Sequence, residues 1–264
     1  MSAVVNDIIK IMDGIAPREL AESWDNAGFL IGRSDNAVKK IMVALDVSPE
    51  VVEQAVAQKV DMLVTHHPPI FKPLKAICDS SWQSALLLKC IENGIAVYSA
   101  HTSLDSVLGG VNDVLAEKLG LQNVTTLVNG GDDGGSLGRV GTLPQKMEFC
   151  DFAAMVKRVL GLDFVTGISA GKEVHKVALC GGAGIDFVAE ALEHGADTYV
   201  TGDIKYHEAQ NAVFSGLNLI DATHQGTELP VVAVLADKIA LRLAAAGLGA
   251  QVLTAHETLL FKQY

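Results

Sequence analysis

The chain has 264 residues, 49% of them hydrophobic and 19% charged, and carries a formal net charge of −11. This is the composition of a soluble globular protein with room for one large domain or two of ordinary size, and no apolar run is long enough to span a bilayer. The acidic total, with no run of Lys or Arg, argues against DNA or RNA as a partner. The four cysteines, Cys78, Cys90, Cys150 and Cys180, are far apart, which suits reduced thiols in a cytoplasmic protein, and the N-terminus lacks the layout of a secretory signal.

In chain order, "VVNDIIKIMDGI" has helical periodicity and ends near Pro17. "GFLIG" and "KIMVALD" read as strands. "SPEVVEQAVAQK" reads as a helix with Ser48 as N-cap and Pro49 at its first position. "DMLVTH" follows as a strand, "WQSALLLKCIENG" as a helix closed by Gly94, "IAVYSA" as a strand and "VNDVLAEKLG" as a helix. The Gly-rich "VNGGDDGGSLGRVG" (Val128 to Gly141) is expected to be a flexible connection; no strand-loop-helix context supports a phosphate cradle there. Beyond it come "EFCDFAAMVKRVLG", "HKVALCG", "DFVAEALEHG", "DTYVTG", "HEAQNAVFSG", "LNLIDA" and "PVVAVLADKIALRLAAAG", again helices alternating with strands.

The chain repeats itself. "VALDVSPEVVEQAVAQKVDMLVTHH" (Val43 to His67) matches "VALCGGAGIDFVAEALEHGADTYVTGD" (Val177 to Asp203), and both end on x-D-x-x-V-T. "NGIAVYSAHTSLD" then matches "SGLNLIDATHQGTE", and "VLAEKL" matches "VLADKI", in the same order. Three ordered matches indicate an internal duplication. The expectation is an α/β fold of two intertwined repeats, residues 1–127 and 128–264, each an α-β-(β-α)3-like unit with mixed, mainly parallel sheets.

Ligands of open α/β sheets bind at the carboxyl ends of strands. His66 and His67, then His101 and Asp105, then Asp203, then His224 and Glu228 follow four predicted strands, although the chain holds only eight histidines. A lone histidine in such a place is ordinarily a hydrogen-bonded turn residue. The His66–His67 pair before Pro68–Pro69, together with Asp105, His224 and Glu228, favours metal instead. His224 and Glu228 are spaced i, i+4 and share a helix face. Three imidazoles and two carboxylates exceed what one catalytic zinc takes from protein and suit two first-row divalent ions: Fe, Zn, Mn, Co or Ni. His101 and Asp203 would orient ligands or cap turns. His207 and Glu208 would be an acid/base pair or merely open a helix. "LCGGAGID" reads as a structural loop rather than an anion cradle, and Asp25, Asn26, Asp46 and Cys180 are cleft residues without support from spacing. His175, His194 and His256 read as surface residues.

The segments "WDNAGFLIG", "VTHHPPIF", "AHTSLD", "GDIKYHEAQNA" and "DATHQGTE" resemble, in this order, the signatures of the NGG-interacting-factor-like family, whose members are called GTP cyclohydrolase I type 2 homologues. The resemblance runs from about Trp24 to the C-terminus and marks a short bacterial-type member without an inserted domain. It implies two metal ions held by His66, His67, Asp105, His224 and Glu228, with Glu228 or Asp105 bridging, and a ring-shaped homohexamer built from dimers. It also implies a metal-dependent hydrolase of a nucleotide-like small molecule, attacked for a GTP-like substrate at C8 of the guanine ring, with His207 and His101 moving protons. The alternative expectation is a non-catalytic metal carrier or regulatory interaction protein. Nucleic-acid processing in an annular assembly is disfavoured by the charge.

Overall fold

A computed structural model describes residues 1–129 and 136–263. The chain opens with β1 (Ala3–Val4), α1 (Val5–Ile15), β2 (Gly28–Ile31), β3 (Ala37–Val38), β4 (Lys40–Ala44), α2 (Pro49–Ala57), β5 (Met62–Thr65), α3 (Trp82–Glu92), β6 (Ala96–Ser99) and α4 (Thr102–Ser106). It continues through α5 (Val111–Lys118), β7 (Gln122–Asn129), β8 (Ser136–Met147), α6 (Phe149–Val159), β9 (Thr166–Ile168), β10 (Val174–Leu179), α7 (Val188–Glu193), β11 (Thr198–Thr201), α8 (Tyr206–Phe214), β12 (Asn218–Asp221) and α9 (His224–Glu228). It ends with α10 (Val231–Ala245) and β13 (Gln251–Thr254). Two compact units result: Met1–Val107 with Val232–Thr258, and Leu108–Val231 with the residues from Leu259 on.

Each unit is built on one copy of the repeated segment. In the first, the sheet order is β13-β4-β5-β6-β2, parallel except for β2. In the second it is β7-β8-β10-β11-β12-β9, where β10, β11 and β12 are parallel and the flanking strands antiparallel. The parallel cores β4-β5-β6 and β10-β11-β12 correspond, and each carries an antiparallel strand on the same flank, β2 or β9. The fold is therefore α/β with mixed sheets, as expected. Strands buried on both faces have to be apolar throughout, which is why they read so clearly in the sequence. In the second unit Val177, Leu179, Val200 and Ile220 face one apolar cluster with Phe152 and Val156 of α6, while Ala178, Tyr199 and Leu219 face another with Ala191 of α7 and Ala209 of α8. In the first unit Met42, Leu63 and Val97 pack with Val51 and Val52 of α2 and Leu87 of α3.

The aspartate shared by the two copies has a structural reason. Asp61 accepts hydrogen bonds from the amides of Lys39 and Lys40, at 2.7 and 2.8 Å, where β4 begins. Asp197 does the same for His175 and Lys176 at 2.9 and 2.8 Å, where β10 begins. The predicted cap of α2 also forms: the Ser48 hydroxyl accepts from the Val51 amide at 3.2 Å.

The described ends of the Gly-rich segment are strands rather than a flexible connection. Val128 and Asn129 belong to β7, and Ser136 to Gly141 belong to β8, paired antiparallel with it; residues 130–135 lie outside the described residues. Gly138, within β8, serves close packing. Gly138 has φ +63°, and a Cβ there would come within 2.7 Å of the Leu179 carbonyl oxygen. Next to Gly138, Arg139 is buried and forms a two-pronged ion pair with Asp113, both contacts at 2.8 Å. The segment "HQGTE" also differs slightly from expectation: it is a short helix of its own, α9, and the chain breaks at Leu229–Pro230 before α10.

Candidate metal centre

In the first unit β5 ends at Thr65, but its ladder runs on: the amides of His66 and His67 donate to the carbonyls of Ala44 and Leu45, at 3.2 and 2.9 Å. The Thr65 hydroxyl donates to the His67 carbonyl at 2.9 Å and bonds the Ser99 hydroxyl at 2.8 Å, folding the chain just past the strand. Both imidazoles then lie together, with ring centroids 4.8 Å apart. His101, which follows β6, brings a third ring to 5.3 Å from His66 and 5.6 Å from His67. Ligand nitrogens of these three side chains lie within 4.8 Å of one another, so the group could hold a metal ion. Asp105, one turn along α4, places a carboxylate oxygen 3.7 Å from His66 Nε2.

Each ring is held from behind. His66 Nδ1 bonds the Ala100 carbonyl oxygen at 3.0 Å, His67 Nδ1 bonds Asp46 at 2.9 Å and His101 Nδ1 bonds Asp25 at 2.8 Å. A carbonyl or carboxylate oxygen only accepts, so each neutral imidazole carries its proton on Nδ1 and its lone pair on Nε2. Such outer partners fix the tautomer and orientation of metal-binding histidines. Asp25 also accepts from the Thr102 amide at 3.0 Å and its hydroxyl at 2.6 Å. Burial alone would raise the Asp25 pKa; the hydrogen bonds from His101 and Thr102, with the attraction to His101, outweigh it and bring the carboxyl down to about 2. The Asp46 loop is itself pinned, because the Glu257 carboxylate accepts from the amides of Leu45 and Asp46 at 2.6 and 3.0 Å. Burial of Glu257 raises its pKa in spite of those two bonds.

In the second unit His224 opens α9 and repeats the arrangement. Its Nδ1 bonds Asp203 at 2.7 Å and its Nε2 lies 3.2 Å from the Glu228 carboxylate. The backbone on either side is strained: Asp203 has φ +57°, and Thr223, a β-branched residue, has φ +64°. Asp221 supports both positions by accepting from the amides of Ile204 and Thr223. Two glycines make room. A Cβ on Gly202 would meet the His224 amide nitrogen at 2.5 Å. One on Gly182, whose φ is +65°, would run into the Glu228 carboxylate and lie 3.2 Å from His224 Nε2.

The sequence expectations fare unevenly. His66, His67 and Asp105 come together in the first unit, and His224 and Glu228 in the second. His101 stands in the imidazole group itself. His207 is exposed on the first turn of α8 and bonds Gln210 at 3.2 Å; among the described residues it belongs to no group of three metal-capable side chains. Glu208 caps α8 by accepting from the Lys205 amide at 3.0 Å. The "LCGGAGID" loop is structural: the amides of Gly181, Gly182 and Gly184 donate to Asn112, Thr227 and Thr201 and are not left for an anion. His175 and His194 are half-buried rather than at the surface, and only His256 of that trio is exposed. Cys78 and Cys150 are exposed, and Cys90 and Cys180 are buried. Asp25 and Asp46 had no support from spacing, although the repeat places Asp46 directly after the shared V-A-L, a signal that marks it as a strand-end residue.

Comparison with known proteins places the sequence in one family and the fold beside solved structures. The sequence profile of Duf34/NIF3 (NGG1p interacting factor 3) matches residues 3–258. A Streptococcus pneumoniae protein named GTP cyclohydrolase 1 type 2 homolog is 36% identical over 226 residues, 84% of either chain. A Clostridium acetobutylicum protein of the same name is 34% identical over 264 residues, 98% of either chain. The crystal structure of a Bacillus cereus protein related to NIF3 superposes with a TM-score of 0.94 at 26% identity, covering 99% of both chains. No described helix is long and apolar enough to cross a membrane.

Proposed function

The chain belongs to the Duf34/NIF3 family, and on that premise we propose that it is a metal-dependent hydrolase of a nucleotide-like small molecule. Its ligands for two divalent ions are His66, His67 and Asp105 in the first unit and His224 and Glu228 in the second. The observation that carries this reading is the common mounting of the imidazoles. His66, His67 and His224 each have Nδ1 bonded to a carbonyl or carboxylate oxygen, so Nε2 is the nitrogen that would bind a metal. Gly182 supports it from the other side, since any side chain there would fill the space beside His224 and Glu228. The donor set of imidazole and carboxylate fits Fe, Zn, Mn, Co or Ni.

Such ions supply Lewis acidity and make water acidic enough to yield a nucleophile near neutral pH. The chain's own residues orient and move protons. Asp46 and Asp203 hold the rings of His67 and His224. Of the two histidines expected to move protons, His101 is the better equipped. With its Nδ1 proton held by Asp25, its Nε2 can take a proton while the Asp25 carboxylate stabilises the resulting imidazolium. A guanine nucleotide is the first substrate to test, because the relatives bear a GTP cyclohydrolase name. The same reading carries a homohexamer built from dimers, which light scattering on the purified protein tests.

The decisive experiment pairs metal analysis with turnover. Anaerobically purified protein should hold two ions per chain, and His66→Ala should hold fewer. The loaded protein should consume GTP or a member of a panel of phosphoesters and cyclic amides; full metal content with no turnover on the whole panel would sink the catalytic reading. A second reading, a non-catalytic metal carrier or regulator, is favoured by one observation: Glu208 is engaged in capping α8 and is not available as the acid/base partner of His207. A carrier keeps metal and function in His101→Gln and His207→Gln, whereas the hydrolase keeps metal and loses turnover in His101→Gln.

A further inference from the structure

Beside the imidazoles of the first unit stands an aromatic pair whose side chains offer no metal ligand. Trp24 and Phe71 meet edge to face, with ring centroids 6.0 Å apart and planes at 70°. His101 closes the corner, 6.1 Å from Trp24 and 6.0 Å from Phe71 and edge-on to both. Trp24 is nevertheless 59% exposed and Phe71 43% exposed. Single exposed apolar residues need no explanation; two large rings fixed together at a candidate site do.

The corner is locked by polar contacts behind it. Asn26 Nδ2 donates to the Ile70 carbonyl at 2.5 Å, tying the loop of Trp24 to the loop of Phe71. Asp25, between Trp24 and Asn26, takes hydrogen bonds from His101, from the Thr102 amide and hydroxyl, and from the Asn26 amide at 2.7 Å. The Glu22 amide donates to the Thr102 hydroxyl at 2.9 Å. The loop presenting the indole is thus bonded on both sides of Trp24, and the exposure of the ring does not come from a loose segment.

We propose that Trp24 and Phe71, with the edge of His101, bind a planar aromatic heterocycle, the ring of the substrate; this rests on the hydrolase reading for the choice of substrate but not for the binding itself. Rings set at a steep angle offer a flat ligand one face to stack on and a second ring to meet edge-on, both within the distances at which aromatic pairs attract. An aliphatic group would gain area but neither contact. Stacking also tolerates different bases, because each has a π-face. The position of His101 at the vertex then brings the ring atoms next to the group that moves protons.

The chain holds two tryptophans, so Trp82→Phe leaves Trp24 as the sole indole and its emission reports on the corner directly. That protein is titrated with guanosine, adenosine and uridine, and with ribose 5-phosphate as a probe without a ring, both metal-loaded and chelated. The expected result is saturable quenching by the nucleosides, stronger for purines, with no response to ribose 5-phosphate. In the same background Phe71→Ala should weaken binding about tenfold while metal content and Tm stay in place. An equal response to ribose 5-phosphate, quenching without saturation, or binding indifferent to Phe71→Ala would overturn the inference. So would emission that depends on protein concentration alone, which would assign the corner to a contact between copies of the chain. Saturable quenching in a protein that hydrolyses nothing would leave the corner standing and defeat only the hydrolase; turnover without any Trp24 response would do the reverse.

Discussion

A carboxylate behind an imidazole orients a ring and also couples stability to pH. Asp25 shows both effects, since its side chain is fully shielded and its carboxyl is held near pKa 2 against an ordinary value of 3.8. A depressed pKa means the folded state prefers the ionised form. The stabilisation is whole above about pH 4 and is lost as the pH falls through about 2, and it is worth about 2 kcal/mol. Asp25→Asn should therefore lower unfolding stability by about 2 kcal/mol at pH 6, and the gap to the parent should narrow toward pH 2. Denaturant titrations at the two pH values read this, and an equal gap at both would refute it. Gly182 is the other residue with a sharp expectation. With φ +65° and the Glu228 carboxylate where a Cβ would stand, Gly182→Ala strains the backbone and displaces the carboxylate. It should cost about 1–3 kcal/mol and reduce metal content, by calorimetric unfolding and elemental analysis. Neither residue was legible from spacing. Asp25 meets His101 across 76 positions, and a glycine in a turn looks the same in sequence whether it relieves φ or clears room for a neighbour.

At the scale of elements, what could be read was what is local. Strands buried on both faces are uniformly apolar, and helices announce themselves by caps such as Ser48–Pro49. Edge strands do neither. In β7 the burial alternates little and most side chains are exposed, and β13 is four residues with none buried, so their identity comes from the ladders to β8 and β4 rather than from their own residues. The shared aspartate of the repeat was visible as a motif but not as a device. Asp61 and Asp197 each bridge the two amides that open the neighbouring strand, so the two sites should respond alike. Asp61→Ala and Asp197→Ala should each destabilise the protein by about 1–3 kcal/mol, the cost of leaving backbone donors short of an acceptor. Urea unfolding curves of the two variants test this, and a loss at one site only would show that the clamp is not a shared property of the repeat.

For the whole molecule, similarity within the sequence marks what was duplicated, whereas compactness depends on which strand each element joins. The first unit is closed by the last stretch of the chain. β13 pairs in parallel with β4, from Gln251 opposite Lys40 to Thr254 opposite Val43. The Met1 ammonium donates to the Gly247 carbonyl at 2.8 Å, and Glu50 binds His256 and Thr258. Glu257 then pins the Leu45–Asp46 turn that holds His67. Contacts so distant in sequence must wait for loop closure, so the first unit can complete its fold only when the C-terminal segment is present. A chain truncated after Leu229 should keep the strands of the second unit, β7 to β12, protected in hydrogen exchange. The same chain should lose protection in β4, whose β13 edge is gone, and protease should cut first within residues 1–107. The His67 mounting should fail with it, so metal bound through the first unit should fall even though His66, His67 and Asp105 are all still in the sequence. Protection of β4 equal to that of the full chain would mean that the C-terminal strand decorates the sheet instead of completing it.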